Sequence, residues 1–301
     1  MKINVGIIGY GNLGKAVESN LKDNPNFNLV KIFTKRKLNN CEHISNLIKY
    51  KEEINLLFLC CGSKDELEKI SFDCIKNFSI IDCYDNHNKL KPYISKIDRL
   101  AKLNKQIALC SFGWDPGIFS LMRGMFDNIG FKPFTFWGKG ISQGHTQAIK
   151  NICGVVDALQ FTLPSKSAIK KIKHGKNITQ NKHLHKRLCF VVCNPKNKQE
   201  IKHKIITMPD YFEGYKTIVK FVSKKKLDRL KNFSHKGLVT TQNHVLNFSL
   251  NAKSNPNITA KIMINFASAY SRLKLQKKYG AYSIFDIPFG YILQKNQYEY
   301  L

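Results

Sequence analysis

Residues 3–14 read INVGIIGYGNLG, an apolar run that ends in glycine and passes into Gly9-Tyr10-Gly11-Asn12-Leu13-Gly14. This is a complete G-x-G-x-x-G, a weak signal alone and a strong one between a buried strand and a helix. The helix is expected directly after it, because Leu13, Ala16, Val17 and Leu21 recur at helical spacing. In such a turn Gly9 allows the tight reversal, Gly11 lets a pyrophosphate approach the backbone, and Gly14 lets helix and strand pack closely. The helix N-terminus adds N–H donors and a favourable dipole. A glycine-rich turn that binds nothing is the plainer alternative, and the position at the start of a strand–turn–helix unit speaks against it.

The alternation continues to about residue 118. LVKIFT (29–34), INLLFLCCG (54–62), SIIDCY (79–84) and QIALCSFGWDPG (106–117) read as strands. Leu67, Ile70 and Cys74 form one helical stripe between them, and Tyr93, Ile97, Leu100 and Ala101 form another behind Pro92. Strand and helix in turn mean a parallel sheet with crossover helices, so the fold class is α/β with a Rossmann-type domain over 1–118. The pattern then changes. DALQFTLPS (157–165), RLCFVVC (187–193), YKTIVKFVS (215–223) and HVLNFSLNA (244–252) look like strands without long helices between them. Residues 119–256 are expected to form a mixed α+β domain carrying a sheet. A helix returns after Asn255-Pro256, with Ile258, Ile262, Phe266, Tyr270 and Leu273 on one face.

Composition narrows the function classes. At 301 residues and 43% hydrophobic content, the chain is long and apolar enough for two domains. No uninterrupted apolar run approaches the ~20 residues of a membrane span. The first residues read as a strand, not a signal peptide, so a cytosolic protein is expected. Of nine cysteines none is spaced C-x-x-C, and reduced core thiols fit better than a metal centre or a redox pair. The net charge of +28 would attract phosphates, nucleic acid or dicarboxylates. Its densest stretch, 164–187, carries eight Lys or Arg and no acid. Lysine is abundant everywhere else too, and no helix-turn-helix, zinc-finger or RNA-recognition pattern accompanies it. Solvated surface is the better reading, with nucleic-acid binding a minority alternative.

FTKRK (33–37) decides the dinucleotide. An acid about 20 residues beyond the fingerprint would bond the ribose hydroxyls of NAD. Thr34, Lys35 and Arg36 stand there instead, a hydroxyl and two cations that suit a ribose 2′-phosphate. NADP(H) is therefore the expected cofactor. Ligands of an open α/β sheet sit beyond the carboxyl ends of its strands. DCYDNH (82–87) and SFGWDPG (111–117) place Asp85 and Asp115 there, a pair able to hold the amino group of a substrate. The bland reading of each is a turn or helix cap.

GYGNLG, FTKR, DCYDNH, GWDPG, FWGKGISQGHT (136–146), FTLP (161–164), HKRLCFVV (185–192) and TMPDYFEGY (207–215) follow one another in an order that resembles the meso-diaminopimelate dehydrogenase family. SQGH and TMPDYF are the most specific of these. The resemblance implies reversible NADP-dependent oxidative deamination of meso-2,6-diaminoheptanedioate at its D-centre, in lysine biosynthesis. The products are L-2-amino-6-oxoheptanedioate, ammonia and NADPH. It also implies a homodimer, a dinucleotide domain completed by residues 257–301, and a middle domain for substrate and dimerisation.

Residue roles follow from the same resemblance. Cys61, Gly62, Ser63, Cys83, Tyr84, Phe112, Gly113, Trp114 and Pro116 would join Asp85 and Asp115 along the dinucleotide. Asp85 and Asp115 would engage the D-centre amine, with Trp114 and Trp137 shaping the pocket and Gln143 and Gly144 closing on it. Thr162, Arg187 and His235 would hold the L-configured end, with Asn255 adding a polar contact and His185 a weaker candidate. The family pattern carries an acid where this chain has Gln147, and a glycine-rich loop where it has SHKGLVT (234–240). These departures motivate an alternative, a broad D-amino acid dehydrogenase with the same cofactor. The net charge motivates another, a non-catalytic NADP-sensing or nucleic-acid-binding protein.

Overall fold

The computed structural model describes residues 2–62, 66–176, 178, 181–230 and 235–301, without the side chains of Gln143, Asn181 and Lys182. The chain divides into two units, Met1–Leu121 with Pro256–Leu301, and Met122–Asn255.

The first unit opens with β1 (Ile3–Ile8), α1 (Asn12–Leu21), β2 (Phe27–Thr34), β3 (Glu42–His43), β4 (Leu56–Leu59), α2 (Leu67–Cys74), β5 (Ser79–Asp82), α3 (Leu90–Leu103) and β6 (Ile107–Leu109). These six strands and a later one, Gly280–Tyr282, make a seven-stranded sheet in which every pair is parallel. β4, β5 and β6 are buried along their whole length, as strands covered on both faces must be. From β1 the chain runs outward through β2 and β3, then returns to place β4 on the other side of β1. The β1/β4 boundary is thus the topological switch point, where such sheets bind ligands.

After α4 (Ile118–Asn128), the second unit holds β7 (Phe134–Trp137), β8 (Gly140–Ile141), α5 (Gln143–Lys150), β9 (Val155–Pro164), α6 (Lys166–Lys173) and β10 (His185–Cys193). It continues with α7 (Lys198–Ile206), β11 (Lys216–Phe221), α8 (Lys224–Arg229), β12 (His235–Thr240) and β13 (Asn247–Ala252). The strands form two sheets where the sequence suggested one. β11-β10-β9-β8 is mixed, with β10 and β11 parallel, and β13-β12-β7 is antiparallel. β13 alternates exposed and half-buried positions, as a strand covered on one face does, and β12 beside it is more deeply buried.

The chain returns to the first unit through α9 (Asn255–Ala267), α10 (Ala269–Leu275) and β14 (Gly280–Tyr282). With α1 these helices cover one sheet face, while α2 and α3 cover the other. The stripe from Ile258 to Leu273 predicts one helix and the structure has two. Ser268 breaks it by donating its hydroxyl to the Asn265 carbonyl at 2.5 Å, a side-chain bond that competes with the helical ladder. No helix among the described residues is long and apolar enough to cross a membrane.

Candidate active site

In the first unit, Gly9 has φ +92° and donates its N–H to Phe33 at 2.8 Å, which ends β1 in a tight reversal. A Cβ on Gly14 would stand 2.0 Å from the Gly9 carbonyl oxygen, so helix and turn meet here with no room for a side chain. Gly11 is the opposite case: a Cβ there meets nothing within 4 Å. Gly11 is the N-cap of α1 and offers no side-chain cap, and the first helical bond runs from Lys15 N–H to its carbonyl. The N–H groups of the first turn are thus left for a ligand. Gly62, beyond β4 across the switch point, is equally open. This glycine cradle fits a dinucleotide pyrophosphate. Ser63 lies outside the described residues.

The three residues expected at a 2′-phosphate do different things. Thr34 is buried, and its hydroxyl accepts the Arg36 N–H at 3.2 Å. Arg36 Nη2 donates to the Tyr10 carbonyl at 2.7 Å, which anchors the guanidinium to the glycine turn. Tyr10 and Asn12 lie at the turn itself, and Tyr10 donates its hydroxyl to Glu18. Lys35 Nζ lies 2.6 Å from Glu66 Oε1, an acid that no local sequence pattern links to it. Both groups are well exposed, so water screens the pair and an arriving phosphate can compete for the lysine.

Asp85 and Asp115 follow the neighbouring strands β5 and β6. Asp85 is exposed, whereas Asp115 is half-buried and accepts the Ser120 hydroxyl at 3.2 Å. The Asp115 loop is closed tightly: Gly113 N–H donates to Pro116, and a Cβ on Gly117 would lie 1.8 Å from the Gly113 carbonyl. Within the loop the Trp114 ring stacks on Phe119 at 5.8 Å. Two expected cofactor residues turn inward. Tyr84 is fully buried and stacks on Tyr93 at 4.2 Å, and Phe112 is fully buried beside Phe266, so only their backbones remain for a ligand. Burial holds the thiols of Cys61 and Cys83 well above the ordinary cysteine range, which keeps them protonated and unreactive. Asp82, which ends β5, was not singled out by sequence. It is fully buried, and burial raises its pKa against the hydrogen bonds it accepts.

In the second unit, cross-strand pairing sets Arg187 of β10 opposite Thr162 of β9. Arg187 is only 9% exposed and donates from Nη1 to the Thr162 hydroxyl at 2.7 Å, and its guanidinium lies 4.3 Å from the centre of the Tyr215 ring. No carboxylate among the described residues pairs with it, and its Nε has no partner there. His145, from the SQGH motif, meets the TMPDYF motif edge-on at Tyr211 (5.3 Å) and Phe212 (5.5 Å). The two most specific stretches of sequence therefore pack together. His145 Nδ1 is 2.8 Å from the Ser142 hydroxyl. Gln143 opens α5, Gly144 is exposed with open space about it, and Asn255 opens α9.

His185 Nε2 accepts the Trp137 N–H at 2.7 Å, which makes it a brace for the Trp137 strand. His235 Nε2 bonds the Ile141 carbonyl at 2.9 Å. Gln147, which stands where the family pattern carries an acid, is exposed and donates to Asn151 one helical turn on at 2.9 Å. The basic run gains an account as well, since Lys170, Lys171 and Lys173 occupy the last turn of α6 and complement its dipole. His145, Tyr215 and Glu66 are not among the residues expected from sequence, though His145 and Tyr215 lie in motifs singled out there.

Burial, and then the Arg187 charge, depress both His145 and His185 to about 4. Their unfolded value is about 6.5, so between these values the unfolded chain binds more protons. Their stabilising effect is complete above pH ~6.5 and is lost as the pH falls toward ~4, by up to about 3 kcal/mol for each ring. The melting temperature should fall steeply in that window. In His185→Gln, whose side-chain oxygen keeps an acceptor for Trp137, the slope should be about half, and an unchanged slope would rule His185 out as a source.

Residues 113–255 match a family profile described as the diaminopimelic acid dehydrogenase C-terminal domain. The chain is 38% identical to the meso-diaminopimelate D-dehydrogenase of Acetivibrio thermocellus, across 99% of its own length and 96% of that protein. It is similar to the solved Corynebacterium glutamicum diaminopimelate dehydrogenase in complex with diaminopimelate, with a TM-score of 0.90 at 32% identity over 99% of this chain and 98% of the other. An engineered D-amino acid dehydrogenase bound to NADP+ gives a TM-score of 0.84 at 31% identity, over 99% of this chain and 98% of that one.

Proposed function

The chain belongs to the meso-diaminopimelate D-dehydrogenase family, and from that premise we propose that it catalyses the reversible oxidative deamination of meso-2,6-diaminoheptanedioate at its D-centre. The products are L-2-amino-6-oxoheptanedioate, ammonia and reduced NADP. The observation that carries this reading is Arg187, a buried guanidinium that pairs with no carboxylate among the described residues and is set beside the Thr162 hydroxyl. Burying a charge is costly unless something pairs with it, and the distal carboxylate of a diamino-dicarboxylate is the partner of the right chemistry.

NADP+, when bound, supplies the hydride acceptor. The open backbone at Gly11 and Gly62 receives its pyrophosphate, and Thr34, Lys35 and Arg36 receive the 2′-phosphate. The Asp85 and Asp115 carboxylates accept hydrogen bonds from the D-centre amine and turn its α C–H for transfer. Trp114 and Trp137 would shape the pocket. The C=N bond forms as the α C–H hydride leaves for the nicotinamide and an amine N–H proton passes to water, and water then adds to the imine to give ketone and ammonia. Positioning of this kind is worth up to ~7–11 kcal/mol in favourable cases. Thr162, Arg187, His235 and Asn255 hold the L-configured end, with Gln143 and Gly144 at the start of α5 closing on it. The reading includes a homodimer in the cytoplasm, and sedimentation tests the dimer.

The direct test follows reduced-nicotinamide absorbance with NADP or NAD, using the meso compound and a panel of D-amino acids. Turnover confined to NADP and the meso compound is expected. Comparable rates on simple D-amino acids would favour the broad dehydrogenase instead, and NADPH binding without turnover would sink the substrate assignment.

Arg36→Ala is expected to weaken NADPH ~10–100-fold and leave NADH nearly unchanged, since charge-assisted bonds contribute roughly 1.5–3 kcal/mol. Lys35→Ala should cost less, because Glu66 already shares that ammonium. Equal losses for both nucleotides in Arg36→Ala would remove the guanidinium from the 2′-phosphate.

A further inference from the structure

We propose that Asp82 is a positioning residue which fixes the Asp85 and Asp115 loops relative to one another. The proposal rests on the assignment of those two aspartates to the substrate amine. Its physical basis is one carboxylate oxygen shared by two loops. Asp82 Oδ1 accepts the N–H of Tyr84 at 2.9 Å, one residue before Asp85, and the N–H of Ser111 at 2.8 Å, at the start of the Asp115 loop. The Asp82 backbone adds a second tie, since its carbonyl accepts the Phe112 N–H at 2.8 Å.

Three features set Asp82 apart from an ordinary core residue. Its neighbours in β5, Ile80 and Ile81, are apolar and fully buried, and an acid in the same layer carries a desolvation cost that an aliphatic side chain would not. No cation among the described residues pairs with it; its partners are N–H and O–H groups and the Cys110 thiol. Ser111, moreover, has φ +66°, a conformation that non-glycine residues adopt at a cost of about 1–3 kcal/mol and keep only when their surroundings over-determine it. The bond from Ser111 N–H to Asp82 is such a constraint. It sits four residues before Asp115.

The second oxygen faces α3. Tyr93 Oη lies 2.6 Å from Asp82 Oδ2 and 2.9 Å from Ser71 Oγ, which reaches the Leu67 carbonyl at 2.8 Å. This chain of hydroxyls holds the carboxyl group by its far side and leaves Oδ1 aimed at the loops. An asparagine reproduces both functions: its oxygen accepts the two N–H groups, and its amide donates to the Tyr93 oxygen. Alanine reproduces neither.

The test compares Asp82→Asn, Asp82→Ala and Tyr93→Phe in kcat, KM, NADPH affinity and melting temperature. Trp114 emission is read alongside in a Trp137→Phe background, because Trp114 rides on the Asp115 loop. Asp82→Ala should lower kcat ~10–50-fold and shift Trp114 emission to the red, with NADPH affinity changed less. Asp82→Asn should restore both within a few-fold. Tyr93→Phe removes the hydroxyl that holds Oδ2 and leaves both N–H bonds to Oδ1 in place, so it should lower the melting temperature and reduce kcat less than Asp82→Ala does. If Asp82→Ala fails to fold, Asp82→Ser, whose oxygen stops short of both N–H groups, is expected to show the same losses. Wild-type kcat and emission in Asp82→Ala or Asp82→Ser, with only the melting temperature lowered, would overturn the proposal. A wild-type protein inactive on the meso compound would instead overturn the Asp85 and Asp115 assignment, and Trp114 emission would still decide whether Asp82 orders the loop.

Discussion

Gly14→Ala is expected to be largely unfolded or insoluble, while Gly11→Ala, three residues away, folds like the wild type and fails to hold NADPH. The contrast follows from where each new methyl group lands. At Gly14 it would lie 2.0 Å from the Gly9 carbonyl oxygen, and Gly9 is itself held at φ +92° against the Cys60 backbone. Neither side can yield without separating α1 from β1, so the loss should be on the order of 4 kcal/mol or more, a large part of a domain's stability. At Gly11 the methyl meets nothing, and the backbone there is extended (φ −89°, ψ −157°), which alanine adopts freely. The N-cap cost is at most about 1 kcal/mol. What Gly11→Ala removes is the space a pyrophosphate needs, so NADPH affinity should fall at least ~100-fold. Fluorescence titration with NADPH and thermal melts separate the two effects. A Gly11→Ala protein with wild-type affinity would show that the dinucleotide does not lie on this turn.

These glycines were legible in the sequence because their roles are local. Gly9, Gly11 and Gly14 act through the backbone of one turn, and a strand on one side with a helix on the other is written in the hydrophobic period. The parallel sheet followed from the same period. Arg187 and Thr162 became visible through resemblance, and their bond through the β9–β10 register. Lys35 shows the limit. Its sequence neighbours say phosphate, yet its ammonium meets Glu66, 31 residues on, a pairing that no local pattern encodes. Asp82 shows another. An acid at the end of an apolar strand reads the same whether it points to solvent or into the core, and only the two N–H groups that converge on it distinguish the cases. The division of the second unit into two sheets was hidden for a related reason, since short strands of similar composition do not state their partners.

Arg187→Leu should make the ligand-free protein no less stable and nearly abolish its action on the meso compound. A buried guanidinium carries a desolvation cost that its present partners meet only in part, through one hydroxyl and the face of Tyr215. A leucine fills similar space without that cost, so the melting temperature should stay level or rise. The substrate tells the other half. Truncating one partner of a buried, hydrogen-bonded charge pair costs roughly 2–5 kcal/mol, which puts the fall in kcat/KM near a thousandfold. The carboxylate at the L-configured end lies far from the reacting carbon, so its bond forms equally in ground and transition states. The loss should therefore appear chiefly in KM. D-amino acids that lack a second carboxylate never use this bond, and their residual rates should be nearly unchanged. That comparison guards against a trivial defect, because a misfolded variant would lose both activities together. A variant that melts several degrees lower while keeping its KM for the meso compound would make Arg187 a structural cation, and the distal carboxylate would then need another receptor.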